Sequence, residues 1–166
     1  SELDRSMQRR ISETELIYNV IQPGTPDEVM MNIFRRINTG GMPLNGQEIR
    51  NAINKGAARG FLELLANSPE FAEATDRSVK DYRMDAQEMV LRFMAFRCLD
   101  WSDYKSLDSF LNIAMKKLSS MTAGELDDLA TLFKKAMVRS RLVFGDEAFR
   151  KPRIRKRNPI SKPLFE

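Results

Sequence analysis

The sequence predicts a mainly α-helical domain that carries one N-terminal β-strand. Apolar residues recur at helical spacing in several segments, and capping residues stand where these segments start. One stretch near the N-terminus instead alternates with a period of two. The chain of 166 residues, 42% of them hydrophobic, is long enough to bury one core, or one core with a satellite.

The predicted strand covers residues 11–21, whose side chains alternate between two faces and include β-branched and aromatic residues. A single strand is unstable without a neighbour, so we expect it to be orphaned from a sheet that lies outside this chain. Alternatively, it is an edge that pairs with a second copy and gives a homo-oligomer. One face would carry Ile11, Glu13, Glu15, Ile17, Asn19 and Ile21, and the other Leu16, Tyr18 and Val20.

Two helices follow, with a glycine-rich loop between them. Thr25, with Glu28 as its capping partner, starts the first helix, which ends at residues 38–41, where glycine can adopt a positive φ. Asn45, with Glu48 as its reciprocal partner, starts the second helix. The backbone N–H groups of the loop have no helical partner, so this corner can hold an anion. The apolar stripe of the first helix is Val29, Met30, Ile33, Phe34 and Ile37.

Further helices are predicted downstream, each with an apolar stripe and a polar opposite face. Asp85 with Glu88, and Thr122 with Glu125, are predicted capping boxes, and Gly145 is predicted to stop the last long helix. Such stripes indicate core positions rather than cofactor contacts. They comprise Phe61, Leu62, Leu64 and Leu65; Met89, Phe93 and Phe96; Leu107, Phe110, Leu111, Ala114 and Leu118; and Leu126, Leu129, Ala130, Phe133, Ala136 and Met137.

The basic arm, residues 150–166, is predicted to be separate from the helical part, residues 1–149. Seven basic residues and no acidic one lie in residues 150–162, while the remainder of the chain is acidic on balance. Its prolines prevent a continuous helix, so we expect an extended segment. This arm could neutralise phosphates on nucleic acid, or it could be a solvated segment that crosses a surface. The candidate nucleic-acid contacts are Arg153, Arg155, Lys156 and Arg157.

Several classes of chemistry are excluded by composition. The chain has no histidine, so a triad with a histidine base cannot form, and the single cysteine, Cys98, is expected to be an inert packed thiol. Asp100, Asp103 and Asp108 match no calcium-loop spacing, and no metal site is predicted. There is no run of eighteen apolar residues, so no membrane span is expected and the cytoplasm is the simplest location.

The string Phe34-Arg35-Arg36-Ile37-Asn38, followed by Gly40-Gly41, Leu44 and Glu48, resembles the Phe-x-x-x-Asn motif of the N-terminal domain of GmrSD-type restriction endonucleases. These are ParB/sulfiredoxin-like proteins of prokaryotic defence. Weaker similarities continue through residues 91–93, 144–150 and 164–166. The resemblance implies a nucleotide-dependent, DNA-targeting NTPase or nuclease that uses an NTP and magnesium in the complete protein. It also implies nucleotide contacts at Arg36, Asn38, Gly40 and Gly41.

The chain departs from this family in one respect. Members carry an Asp-Gly-Gln-Gln-Arg motif upstream of Phe-x-x-x-Asn, and this sequence has no such motif. We therefore expect a C-terminal portion of a family domain that is inactive alone. Without the resemblance, Arg35 and Arg36 suit a solvated helix face, and Asn38 suits a helix end. The alternative function is a non-enzymatic helical module that binds nucleic acid or a partner protein through the basic arm.

Overall fold

The computed structural model describes residues 3–15, 17–18, 20–37, 42–54, 56–100, 102, 104–152 and 156–166, and it confirms the mainly helical fold class. The described residues form nine α-helices, and 3₁₀ turns lie at Tyr82–Met84 and Gly145–Glu147. The helices are α1 (Arg5–Ser12), α2 (Asp27–Ile37), α3 (Gly46–Ile53), α4 (Ala57–Ala66), α5 (Pro69–Ala74), α6 (Asp85–Cys98), α7 (Leu107–Ser119), α8 (Ala123–Phe144) and α9 (Lys162–Phe165). Among the described helices, none combines the length and apolar character needed to cross a membrane.

The hydrophobic core is enclosed by α4 to α8, with α6 at its centre. Helix α6 packs against α3, α4, α7 and α9, and its consecutive residues Met89, Val90 and Leu91 are all buried. Three consecutive residues point in three directions around a helix, so α6 is covered on more than one side. Helices α5 and α8 pack together through Phe71 and Phe133, whose ring centroids lie 6.2 Å apart.

The described part of the basic arm returns to this core. Arg150 and Ile160 form an isolated antiparallel bridge. Beyond it, α9 buries Phe165 beside Phe149, with ring centroids 4.7 Å apart. The described residues at both ends of the arm are therefore held against the core, and the extended conformation expected for the arm stays a prediction.

The strand predicted over residues 11–21 is corrected by the structure, because no described residue in it forms a strand. Ile11 lies in the last turn of α1, and the Thr14 hydroxyl donates to the Arg10 carbonyl at 2.5 Å. An alternating pattern gives a strand only where a second strand supplies ladder hydrogen bonds, and no ladder occurs among the described residues. The described residues in 11–21 therefore do not form the strand edge that was expected to pair with a second copy. The side chains of Ile17, Tyr18 and Val20 are exposed.

Two predicted helix starts are confirmed. The Asn45 side chain accepts from the Glu48 N–H at 2.9 Å, and the Glu48 carboxylate accepts from the Asn45 N–H at 2.7 Å. Thr122 and Glu125 form the same reciprocal box at the start of α8, which ends at Gly145 as predicted. The Glu28 side chain lies outside the described part of the chain.

The capping box predicted for α6 is wrong. Met84 precedes the helix in the left-handed conformation with φ 62°, so Asp85 is already the first helical residue. Asp81 caps the helix instead, because its Oδ1 accepts from the N–H groups of Ala86 and Gln87 at 3.1 and 3.2 Å. The capping residue therefore lies four residues upstream of the predicted one, because of the turn that precedes the helix.

The apolar stripe of α2 is not a core stripe. Met31, which lies outside the predicted stripe, is the buried apolar residue of the helix. Val29 is 45% exposed, and Ile37 is more exposed still. Helix α2 is therefore held mainly through its packing on α3.

Candidate functional site

The α2–α3 corner contains the nucleotide contacts that the resemblance implies. Arg36 lies on the last turn of α2 and is exposed. Asn38, Gly40 and Gly41 lie outside the described residues, so their role stays a prediction. The structure does not bring Arg36 into contact with another charged group in the described residues. Its neighbour Arg35, in contrast, forms an ion pair with Asp108.

Arg35 and Arg50 both bind the carboxylate of Asp108, and we call these three residues the Asp108 clamp. The Arg35 Nη2 lies 2.5 Å from Asp108 Oδ2, and the Arg50 Nη1 lies 2.7 Å from Asp108 Oδ1. The three residues come from α2, α3 and the first turn of α7. The clamp therefore ties the corner to the helical body.

The two arginines of the clamp differ in solvent access. The Arg50 side chain is 3% exposed, whereas those of Arg35 and Asp108 are nearly half exposed. Burial acts to raise the pKa of Asp108, but the hydrogen bonds from Arg35 and Arg50 outweigh it and hold that pKa below its usual range. Burial lowers the pKa of the Arg50 guanidinium, and the hydrogen bond to Asp108 opposes this effect. Arg50 is thus fixed, while Arg35 has room to move.

Gly46, the first residue of α3, leaves space for the clamp. A Cβ built there would lie 3.2 Å from the Arg50 Nη2 and 3.5 Å from the Asp108 Oδ1. The first of these distances is tighter than an ordinary contact, so a larger residue would push the guanidinium away. Glycine at this position lets the first turn of α3 approach the ion pair.

A buried polar network extends from the clamp to the start of α6. The Arg50 Nε donates to Gln47 Oε1, and the Gln47 amide donates to Asn51 Oδ1, both at 3.0 Å. Asn51 donates to Gln87 Oε1, and Gln87 donates to Asp81 Oδ2, both at 2.7 Å. Buried polar groups are stable only when they are hydrogen-bonded. These hydrogen bonds therefore fix the orientation in which α3 packs on α6.

Arg83 holds the loop that leads into α3. Its Nη2 donates to Glu48 Oε2 at 2.7 Å and also to the Pro43 carbonyl, while the Asn45 amide donates to the Arg83 carbonyl at 2.7 Å. The hydrogen bond from Arg83 is the main cause that lowers the pKa of Glu48. Glu48 therefore acts as a capping residue with an ion-pair partner.

The clamp borders a cleft of about 330 Å³, which we call the corner cleft. Arg92 and Glu88 of α6 form the opposite wall. Arg92 pairs with Glu88 at 2.9 Å and also with Glu166 at the end of the chain. The cleft thus presents three guanidiniums, each already bound to a carboxylate. An anion can bind here by using free N–H groups or by displacing an exposed pair.

The four predicted nucleic-acid contacts of the basic arm differ in whether the structure describes them and in whether they are ion-paired. Arg153 and Arg155 lie outside the described residues, and Lys156 is exposed. Arg157 is bound to the body, since its Nη1 lies 2.5 Å from Asp76 Oδ2 and its Nη2 donates to the Asp146 carbonyl. The ion pair neutralises one of the four predicted cations. The DNA contact stays a prediction for all four residues.

Sequence reasoning missed the clamp and the network. Gln47, Arg50 and Asn51 share one helix face by their spacing of three and four residues. That spacing normally indicates a solvated polar face, and the sequence contains no sign that α6 covers it. The arginine partners of Asp108 are distant in sequence, because Arg35 and Arg50 lie 73 and 58 residues before it. The described residues hold no group of three or more metal-ligating side chains.

Comparison of the chain with protein-family models, with curated proteins and with solved structures finds no significant match.

Proposed function

We propose that this chain is the helical part of a nucleotide-dependent, DNA-targeting defence protein of the restriction type. In this proposal the α2–α3 corner contacts nucleotide phosphate through Arg36, Asn38 and the amides of Gly40 and Gly41. In this proposal the complete protein is cytoplasmic and uses an NTP and magnesium. It also supplies the remaining catalytic elements. Residues 1–166 alone are inactive. The resemblance around Phe34 to Glu48 is the sequence support for this function.

The Asp108 clamp is the structural observation that favours a phosphate contact at this corner. Arg35 is nearly half exposed and reaches Asp108 from the end of α2, immediately before the predicted nucleotide contacts. A guanidinium binds a carboxylate and a phosphate with the same planar donors. Arg35 can therefore exchange Asp108 for a phosphate oxygen, while buried Arg50 keeps Asp108 charged and in place.

The proposal is tested in the complete protein by comparing variants of the corner. Asn38→Ala should lower NTP-dependent activity by at least about tenfold, equivalent to about 1.4 kcal/mol, with little change in melting temperature. Arg35→Ala should raise the KM for the nucleotide and leave the fold intact. Arg59→Ala, which removes an exposed arginine of α4, is the matched control and should change neither quantity.

Two outcomes would contradict the proposal. Full activity in both Asn38→Ala and Arg35→Ala would exclude the corner as a phosphate contact. Magnesium-dependent NTP hydrolysis by residues 1–166 that disappears in Asn38→Ala would show that the chain needs no further catalytic element.

A second candidate is a non-enzymatic helical module that binds nucleic acid through the basic arm. The observation that favours it is that the two ends of the arm are hydrogen-bonded to each other. The Asn158 amide donates to the carbonyls of Lys151 and Pro152 at 3.1 and 3.0 Å, and the Arg150–Ile160 bridge lies beside them. A segment fixed in this way loses less conformational entropy when it binds than a free tail does.

This second candidate predicts duplex DNA binding that ignores sequence and weakens steeply with salt. Joint neutralisation of Arg153, Arg155 and Lys156 to Gln should reduce the salt slope by about 2–3 units, if each cation neutralises one phosphate. Arg157→Gln alone should have a smaller effect on the slope, because Asp76 already neutralises Arg157. An unchanged slope in the triple variant would leave the arm as a structural segment.

A further inference from the structure

A second cleft, which we call the arm cleft, lies between the start of α6 and the basic arm. Its volume is about 260 Å³, and it shares no lining residue with the corner cleft. Three cationic side chains line it, those of Lys80, Arg150 and Lys162, together with the carboxylate of Asp85. The charge of this cleft is therefore positive on balance.

Arg150 is the unusual residue of the arm cleft. It is only 9% exposed, and its guanidinium donates to neutral acceptors: the Asp146 carbonyl at 3.1 Å, the Asn158 carbonyl at 2.5 Å and Ser78 Oγ at 2.7 Å. No carboxylate lies within ion-pairing distance of it in the described part of the chain. A buried charge is normally paired, because desolvation is costly. Three of the five guanidinium N–H groups donate to these acceptors, so two have no acceptor among the described residues and can donate to a ligand.

The two lysines add charge to the same cleft. Lys80 is exposed and makes no ion pair or hydrogen bond with any described residue. Lys162 lies 3.3 Å from Asp85 Oδ1 and 3.2 Å from Glu88 Oε1. Glu88 does not line the cleft and is shared with an arginine. Lys162 is therefore shared by two carboxylates, so Lys80 and Arg150 supply the positive charge that is available to a ligand.

We propose that the arm cleft binds a small phosphate monoester with an apolar substituent. A phosphate monoester carries between about one and a half and two negative charges at neutral pH, which matches the unneutralised charge of the lining groups. Its oxygens can accept from the free N–H groups of Arg150 and from Lys80. Met89 and Ile160 line the same cleft and offer an apolar surface for the substituent. This site is independent of the function proposed for the α2–α3 corner.

Phenyl phosphate and inorganic phosphate are suitable probes in isothermal titration calorimetry with the full chain at low ionic strength. Phenyl phosphate should bind at one site with a Kd on the order of 1 mM or tighter. Inorganic phosphate should bind at least about threefold more weakly, because it lacks the contact with Met89 and Ile160.

Lys80→Gln is the informative variant, since Arg150→Gln removes three hydrogen bonds of a buried group and is expected to destabilise the fold. Lys80→Gln should weaken phenyl phosphate binding by about fivefold, while its circular dichroism spectrum and melting temperature stay unchanged. Lys105→Gln removes the same charge from an exposed residue beyond the other end of α6, and it should bind like the unmodified chain.

The proposal would be overturned by any of the following results. These are no heat of binding with phenyl phosphate, equal affinities for the two probes, or unchanged affinity in Lys80→Gln. Equal weakening in Lys80→Gln and Lys105→Gln would also overturn it, because that result shows attraction by net charge alone.

Discussion

The N-terminal region, residues 3–45, and the helical body that follows it use apolar residues differently. Among the described residues of the N-terminal region, Met31 is the buried apolar side chain, whereas α4 to α8 bury most of their apolar stripes. Helices α1 and α2 of the N-terminal region have clear amphipathic patterns, and so does α4 of the helical body. The difference shows that local patterns are enough to form a helix, while burial requires a second element on its apolar side.

The strongest test of this comparison is a truncation in the core of the body. Phe133→Ala should lower the free energy of unfolding by about 3–5 kcal/mol. The ring packs between Phe71 and Phe93, and its removal leaves a cavity. Urea denaturation measures this loss. Phe144→Ala on the same helix is the control, since Phe144 is 64% exposed, and it should change stability by less than about 0.5 kcal/mol.

The junction between the two regions should respond next. Arg50→Ala should cost about 2–3 kcal/mol, because it leaves the buried Gln47 Oε1 without its donor and removes one partner of Asp108. Arg35→Ala should cost about 0–1 kcal/mol, since its pair with Asp108 is partly exposed. Equal losses in the two variants would show that the clamp acts as one exposed ion pair.

Acid should weaken the same junction. The pKa of Asp108 is lower in the folded chain than its ordinary value, so its contribution to stability is present above the unfolded pKa of about 3.9 and is lost as the pH falls through the folded pKa. Urea midpoints measured from neutral pH down to about 2.5 should therefore decline at the acidic end. Asp108→Asn should make this decline shallower. An identical pH profile in that variant would exclude Asp108 as a contributor.

The smallest effect is expected in the N-terminal region. Ile17 is 86% exposed, so Ile17→Ala should change the free energy of unfolding by less than about 0.5 kcal/mol. Thermal denaturation followed by circular dichroism is sufficient to measure this. A loss above about 1 kcal/mol would show that the N-terminal region is packed against another surface in solution.

The helices of the body could be predicted from sequence because their signals are local. Asn45 and Glu48 cap α3, and Gly145 ends α8, within a few residues of the apolar stripes that define these helices. The strand over residues 11–21 could not be excluded, since its alternation depends on partners that a pattern does not reveal.

The candidate site was less predictable, because its contacts are distant in sequence. Arg50 and Asp108 are separated by 58 residues, and Asn51 and Gln87 by 36. Polar residues at helical spacing look alike whether water or a buried amide satisfies them. Only the packing of α3 on α6 distinguishes these two cases.

The ring contact between Phe149 and Phe165 has a consequence for chain length. It fixes Phe149 and Phe165 on the core, so the chain between these two residues is closed into a loop. The entropic cost of closing a flexible loop rises by only about 0.6 kcal/mol for each doubling of its length. Extra residues inserted after the exposed Lys151 and Pro152 should therefore be tolerated at small cost, and the two aromatic rings would still meet.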